Sequence, residues 1–143
     1  MYTKQVSIFL ENRKGRLAEV TKLLKDESIN IRALSLADMP DLGVLRLIVH
    51  DRDRCLRLLR NNGFAARETD VVAVEMEDKP GGLYRIIEVL DREGLSIEYI
   101  YTFFSKNAAT AIAIFKLDDP ARAVETLKRS GIAVLPEDAV QNL

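Results

Sequence analysis

Val6, Ile8 and Leu10 alternate with Ser7, Phe9 and Glu11, a period of two that predicts a strand, and Val72, Val74 and Met76 repeat the pattern. A turn containing Gly follows each. Leu17, Val20, Leu23 and Leu24 then recur at helical spacing, as do Leu83, Ile86, Ile87 and Leu90, so each stretch predicts an amphipathic helix of about three turns, closed by Ser28 and by Gly94. Ile31 to Ala37 and Val44 to His50 are apolar runs around the turn-rich Asp38-Met39-Pro40-Asp41-Leu42-Gly43. Ile97 to Phe104 and Thr110 to Leu117 likewise flank Ser105-Lys106-Asn107. A second helix begins near Asp53 in one half and near Pro120 in the other, ending at Gly63 and Gly131, before last strands at Phe64 to Thr69 and Ile132 to Leu135.

The halves are copies of one another. Displaced by 66 residues, 11–31 falls on 77–97 with six identities in 21 positions, where unrelated segments share roughly one or two. With two residues inserted, Asn62-Gly63-Phe64 meets Ser130-Gly131-Ile132. Two domains are expected, 1–70 and 71–143, each in the order β-α-β-β-α-β. That order predicts an α+β fold of two ferredoxin-like modules, with antiparallel sheets covered by helices on one face.

Composition narrows the function. Lys and Arg number 21 against 22 Asp and Glu, so no global basic field is available for nucleic acid or an anionic membrane. The charge is uneven: thirteen basic against ten acidic residues in 1–70, eight against twelve in 71–143. No apolar run approaches the ~20 residues of a membrane-spanning helix, and the first residues lack a signal-peptide pattern, which makes a cytoplasmic location the expectation. With one Cys (Cys55) and one His (His50), no disulfide framework, metal centre or cofactor is expected. His50 is read as a strand end, and Cys55 as a small buried hydrophobe beside Leu56 and Leu59. Tyr99, Tyr101 and Phe103 share one strand face, a packing pattern rather than a base-stacking one, since only Lys106 is near them.

Chemistry concentrates in the loop before the first helix of each half: Glu11-Asn12-Arg13-Lys14-Gly15 and Glu77-Asp78-Lys79-Pro80-Gly81-Gly82. A helix N-terminus offers unpaired N–H groups to a carboxylate, and Gly permits close approach. The plainer reading is a helix capped by Asn12 or Asp78 behind a tight turn.

These loops, with the downstream Ser28-Ile29-Asn30-Ile31 and Gly94-Leu95-Ser96-Ile97, resemble the ACT domain family over residues 3–72 and 70–140. The second copy is the closer match, since Lys14 stands in the first loop where Pro is usual. What the resemblance implies is a regulatory, allosteric module that binds a free amino acid where two modules pair as a pseudo-dimer. The loop of one module then faces the start of the other's second strand. Carried across, Asn12, Gly15, Arg16 and Leu17 would combine with Ser96 and Tyr99. Asp78, Pro80, Gly81, Gly82 and Leu83 would combine with Asn30 and Ile31. In the second set Asp78 and Asn30 would hold the α-ammonium, and the Gly81, Gly82 and Leu83 amides the α-carboxylate. A homodimer is expected, signalling to an enzyme or regulator of amino-acid metabolism, with no catalytic residues. Two rivals remain: an adaptor that binds nothing small, and a small hydrolase using Arg13 or Arg16 with Asn12. Against the hydrolase, neither loop carries Ser, Cys or His.

Overall fold

The computed structural model describes residues 2–11, 13–104 and 109–142, the Phe104 side chain apart. The elements run β1 (Thr3–Glu11), α1 (Arg16–Asp26), β2 (Ile31–Met39), β3 (Leu42–Val49), α2 (Arg52–Asn61), β4 (Ala65–Glu77), α3 (Gly82–Arg92), β5 (Ile97–Phe104), β6 (Thr110–Leu117), α4 (Pro120–Arg129), β7 (Val134–Leu135) and α5 (Glu137–Gln141). Among them no helix is long and apolar enough to cross a membrane. The chain divides into two compact units, Lys4–Thr69 and Asp70 onward, the latter taking Thr3 as well.

In the first unit β1 pairs antiparallel with β3, and β3 with β2. Beside β1 lies β4, whose Thr69 Oγ1 sits 2.8 Å from Ser7 Oγ. Val6, Ile8 and Leu10 of β1 and Leu45, Leu47 and Val49 of β3 turn one face toward Val20 and Leu24 of α1 and Cys55, Leu56 and Leu59 of α2. Leu24, Leu45, Leu47 and Leu59 are at most 1% exposed, so each contributes about 2 kcal/mol by burial. The second unit repeats the plan. β6 pairs with β5 and β4, β7 pairs with β4, and α3 and α4 cover Val72, Val74, Ala113, Phe115 and Leu117.

The duplication extends to ties that a residue-by-residue comparison does not reveal. Arg54 of α2 bonds the Glu27 carbonyl and, at 3.2 Å, its carboxylate, fastening α2 to the end of α1. Arg122 of α4 does the same to the Glu93 carbonyl and carboxylate at the end of α3. Ser28 takes a left-handed conformation (φ 56°) where Gly94 (φ 69°) stands in the second copy, and the following Ile29 and Leu95 amides bond back to Leu24 and Leu90.

Of three expectations at the element ends, two are adjusted. The last strand of one copy and the first of the next are a single thirteen-residue strand, β4, because no Gly or Pro interrupts Ala65 to Glu77. α2 starts at Arg52, next to Asp53 as expected, with Asp51 as its cap. The chain after β7 turns at Pro136 into the short helix α5, anchored by the fully buried Val140, which periodicity did not predict.

Candidate ligand-binding site

Two of the four long helices carry side-chain caps and two do not. Asp51 accepts from the Arg54 amide at 3.2 Å ahead of α2, and Asp119 from the Arg122 amide at 3.1 Å ahead of α4. The helices behind the candidate loops are built differently. Gly15 precedes α1 at φ 89° and ψ −13°, Gly81 precedes α3 at φ 88° and ψ −9°, and neither helix has a side-chain cap. A left-handed glycine turns the chain sharply into the helix and presents no cap oxygen, so the first amides stay open. In the second copy the Gly82 amide is taken by the Lys79 carbonyl at 3.0 Å, which withdraws it from the expected donor set. The next two donors are the amides of Leu83 and Tyr84, because the first helical bond runs from Arg85 to Gly81. They carry the partial positive charge of the helix end.

Asp78 does not cap this helix: its side chain is exposed, while its backbone amide bonds the Ala109 carbonyl at 3.1 Å. Pro80 and Gly81 are exposed, Gly82 and Leu83 half-buried. Lys79 pairs with Glu77, and that hydrogen bond, helped by the lysine charge, holds the Glu77 carboxyl below its ordinary range. In the first copy Arg13 pairs with Glu11 at 3.2 Å, Gly15 and Leu17 are exposed, and Asn12 lies outside the described residues. Arg16 points inward: its guanidinium lies over the Phe64 ring, 4.3 Å from the centroid.

The second-strand positions are held by a duplicated clasp. The exposed Asn30 gives its amide to His50 Nδ1 at 3.0 Å, and its carbonyl accepts from the His50 amide at 3.2 Å. Ser96 gives its amide to Asp118 Oδ1 at 3.0 Å, and its carbonyl accepts from the Asp118 amide at 3.2 Å. His50 is thus a fastener at the start of β2, more than a solvent-facing strand end. Ile31 and Tyr99 are half-buried on β2 and β5.

Within one unit the two halves of the expected site lie apart. Glu11 and Met39 both pair with Leu42, whereas Ile31 pairs with Val49 at the far end of β3. Seven residues of strand separate the ends, about 24 Å. The same holds for Glu77, opposite Thr110, and Ile97, opposite Leu117. One amino acid cannot touch a loop and the second-strand start of the same module.

A cavity of about 380 Å³ does adjoin the second loop, bounded by Met76 and Glu77, by Gly81, Gly82 and Arg85, and by Gly131 to Ala133. Among the described residues no three His, Cys, Asp or Glu side chains gather as metal ligands.

No curated protein matches the chain significantly. Among solved structures, protein BT0572 from Bacteroides thetaiotaomicron is 39% identical, with a TM-score of 0.93 over 100% of this chain and 98% of that one. The ligand-free regulatory subunit of aspartate kinase from Thermus thermophilus shares the fold, with a TM-score of 0.64, 15% identity, and 88% and 91% of the two chains covered. The regulatory subunit from Thermus flavus gives 0.62 and 17%, with 88% of each chain covered. The profile of the ACT domain pair matches residues 1–143, and with two βαββαβ units each led by a glycine-cornered helix, the chain belongs to that family of tandem regulatory modules.

Proposed function

We propose that the protein is a non-enzymatic regulator that binds a free amino acid, drawing on the loop of one ACT module and the second-strand start of another. The observation that carries this reading is the contrast between helices: α2 and α4 are capped by aspartates, while α1 and α3 leave their first amides open behind left-handed glycines. An α-carboxylate satisfies those amides at α3, Leu83 and Tyr84 donating. Asp78 and Asn30 take the α-ammonium, and Leu83 with Tyr99 leans the side-chain preference toward apolar or aromatic. The span of about 24 Å between loop and second-strand start supports a site shared by two modules. The first copy offers Gly15 and Leu17, with Asn12, toward Ser96 in the same way. The signal passes by favouring one arrangement of modules or subunits, in a homodimer or against an enzyme or regulator of amino-acid metabolism.

A thermal-shift screen against the twenty free amino acids tests this. A ligand at about 100 times its Kd adds about 2.7 kcal/mol, or about 5–10 °C for a chain of this size. Asp78→Ala is expected to abolish the shift. An adaptor is the second reading, favoured by the exposed Leu34, Leu36, Met39 and Leu42 of the β2–β3 hairpin. Silence from all twenty amino acids would support the adaptor and reject the sensor.

A further inference from the structure

The two corners share a left-handed glycine but not a filling. In the first unit the Arg16 side chain is only 15% exposed, its guanidinium lies on Phe64, and its Nη1 donates to Glu19 Oε2 at 2.6 Å. The duplication sets Gly82 at the place of Arg16, Ile132 at the place of Phe64, and Arg85 at the place of Glu19. All three exchanges bear on one space. Gly82 deletes the side chain that fills it, Ile132 replaces the aromatic wall with a smaller one, and Arg85 inverts the charge that faces it. What remains in the second unit is the cavity of about 380 Å³.

Its apolar lining comes from Met76, Ile86 and Ile132. At its side stands the exposed Arg85, one of whose nitrogens donates to the Ser130 carbonyl at 3.3 Å, leaving further N–H groups of the guanidinium for an anion. The strand supplies another donor. Backbone groups alternate along a strand, and in β4 the Glu75 amide bonds Ala133 on one side while the Asp78 amide bonds Ala109 on the other. The Glu77 amide therefore faces the same side as that of Glu75, past the end of β7 and into the cavity. Glu75 and Glu77 alternate with Val74 and Met76 along the strand and also border the cavity with Lys79. Lys79 pairs with the Glu77 carboxylate, and the Arg85 charge helps to hold that carboxyl low, so an incoming carboxylate meets Arg85 beside an already neutralised acid.

We infer that this cavity is a second binding site, contained within one module, for a short carboxylate with an apolar tail. The carboxylate meets the Arg85 guanidinium and the Glu77 amide, and the tail occupies the volume that Arg16 fills from within the chain in the first unit. In the first copy the Arg16 side chain takes the place that the ligand would occupy. The site needs no residue from another module; Gly81 and Gly82 border both it and the shared amino-acid site, while Arg85, Gly131 and Ile132 belong to the cavity alone.

The test is a titration of the 15N-labelled full chain with isovalerate, and separately with isopentylamine, a cation of similar shape. Isovalerate is expected to shift the Glu77, Gly131 and Ile132 amides saturably, leaving Gly63 and Phe64 still, and isopentylamine to leave all of them in place. Arg85→Glu reverses the preference: the acid binds at least about tenfold more weakly and the amine now shifts the same amides. In Arg16→Gly the emptied first corner faces Glu19, and isopentylamine shifts the Phe64 amide. Three results overturn the proposal: no isovalerate shift up to tens of millimolar, equal shifts from acid and amine, or an unaltered isovalerate response in Arg85→Glu. Because Gly131 and Ile132 line the cavity and take no part in the shared site, their response separates this proposal from the outcome of the amino-acid screen.

Discussion

An alanine at Gly82 would place its Cβ 2.1 Å from the Glu77 carbonyl oxygen, well inside van der Waals contact. That oxygen belongs to the backbone of β4, where Glu77 is paired with Thr110, so the strand has little room to yield and the first turn of α3 must move away. The movement breaks the 3.0 Å bond from the Gly82 amide to the Lys79 carbonyl, about 1 kcal/mol net. Residual strain adds about 1–3 kcal/mol. Alanine's smaller unfolded-state entropy returns about 0.5–1 kcal/mol, leaving a net loss of about 2 kcal/mol. The neighbouring Gly81 differs in kind. A Cβ there meets nothing within 4 Å, and the cost of alanine is purely its φ of +88°, about 1–2 kcal/mol. Asparagine, which tolerates that conformation, recovers much of the loss at Gly81 and none at Gly82. Urea denaturation followed by circular dichroism reads both. At constant slope, a loss of about 2 kcal/mol lowers the midpoint by about 1 M. If Gly82→Ala unfolds at the wild-type midpoint, or Gly81→Asn is as damaging as Gly81→Ala, the account of the corner is wrong.

Asp51→Ala and Asp119→Ala should each cost about 1 kcal/mol in the same assay, since each removes a cap bond, and the two losses should add. Ser28→Gly should gain up to about 1 kcal/mol by relieving a left-handed serine, and a loss of stability there would refute the conformational argument. The Cys55 thiol is pushed up to about 12, first by burial and then by the Asp51 charge, so a thiol reagent near neutral pH should modify it only after unfolding. The unfolded thiol ionises near 9 and the folded one near 12. Stability from the buried neutral thiol is therefore complete below pH 9 and lost as pH rises toward 12. Lys79→Ala should raise the Glu77 carboxyl toward its ordinary value in a carbon-detected NMR titration, because the lysine hydrogen bond is the main cause of its depression.

Much of this protein is written in strictly local patterns. The two-residue and helical periods, the glycine corners and the repeat displaced by 66 residues specify two βαββαβ modules, because each depends only on neighbours along the chain. The loops were legible as the chemical focus, and the second copy as the more open one. Local pattern did not reveal which helices are capped. Asn12 and Asp78 have the residue types of caps, yet Asp78 caps nothing, and the capping falls to Asp51 and Asp119. Nor does a serine, an asparagine or a histidine announce a clasp: Asn30 with His50, and Ser96 with Asp118, meet only because β2 and β5 pair back along β3 and β6.

The deciding case is Arg16. As sequence it is one more basic residue in a basic loop. Folded, it stacks on Phe64, 48 positions away, and fills a space that its counterpart Gly82 leaves empty. The signal was present in the alignment of the halves, where Arg16, Glu19 and Phe64 become Gly82, Arg85 and Ile132 together. Only tertiary packing makes those three positions neighbours, because contact between distant segments is set by how sheet and helices close on one another, and no period along the chain encodes it.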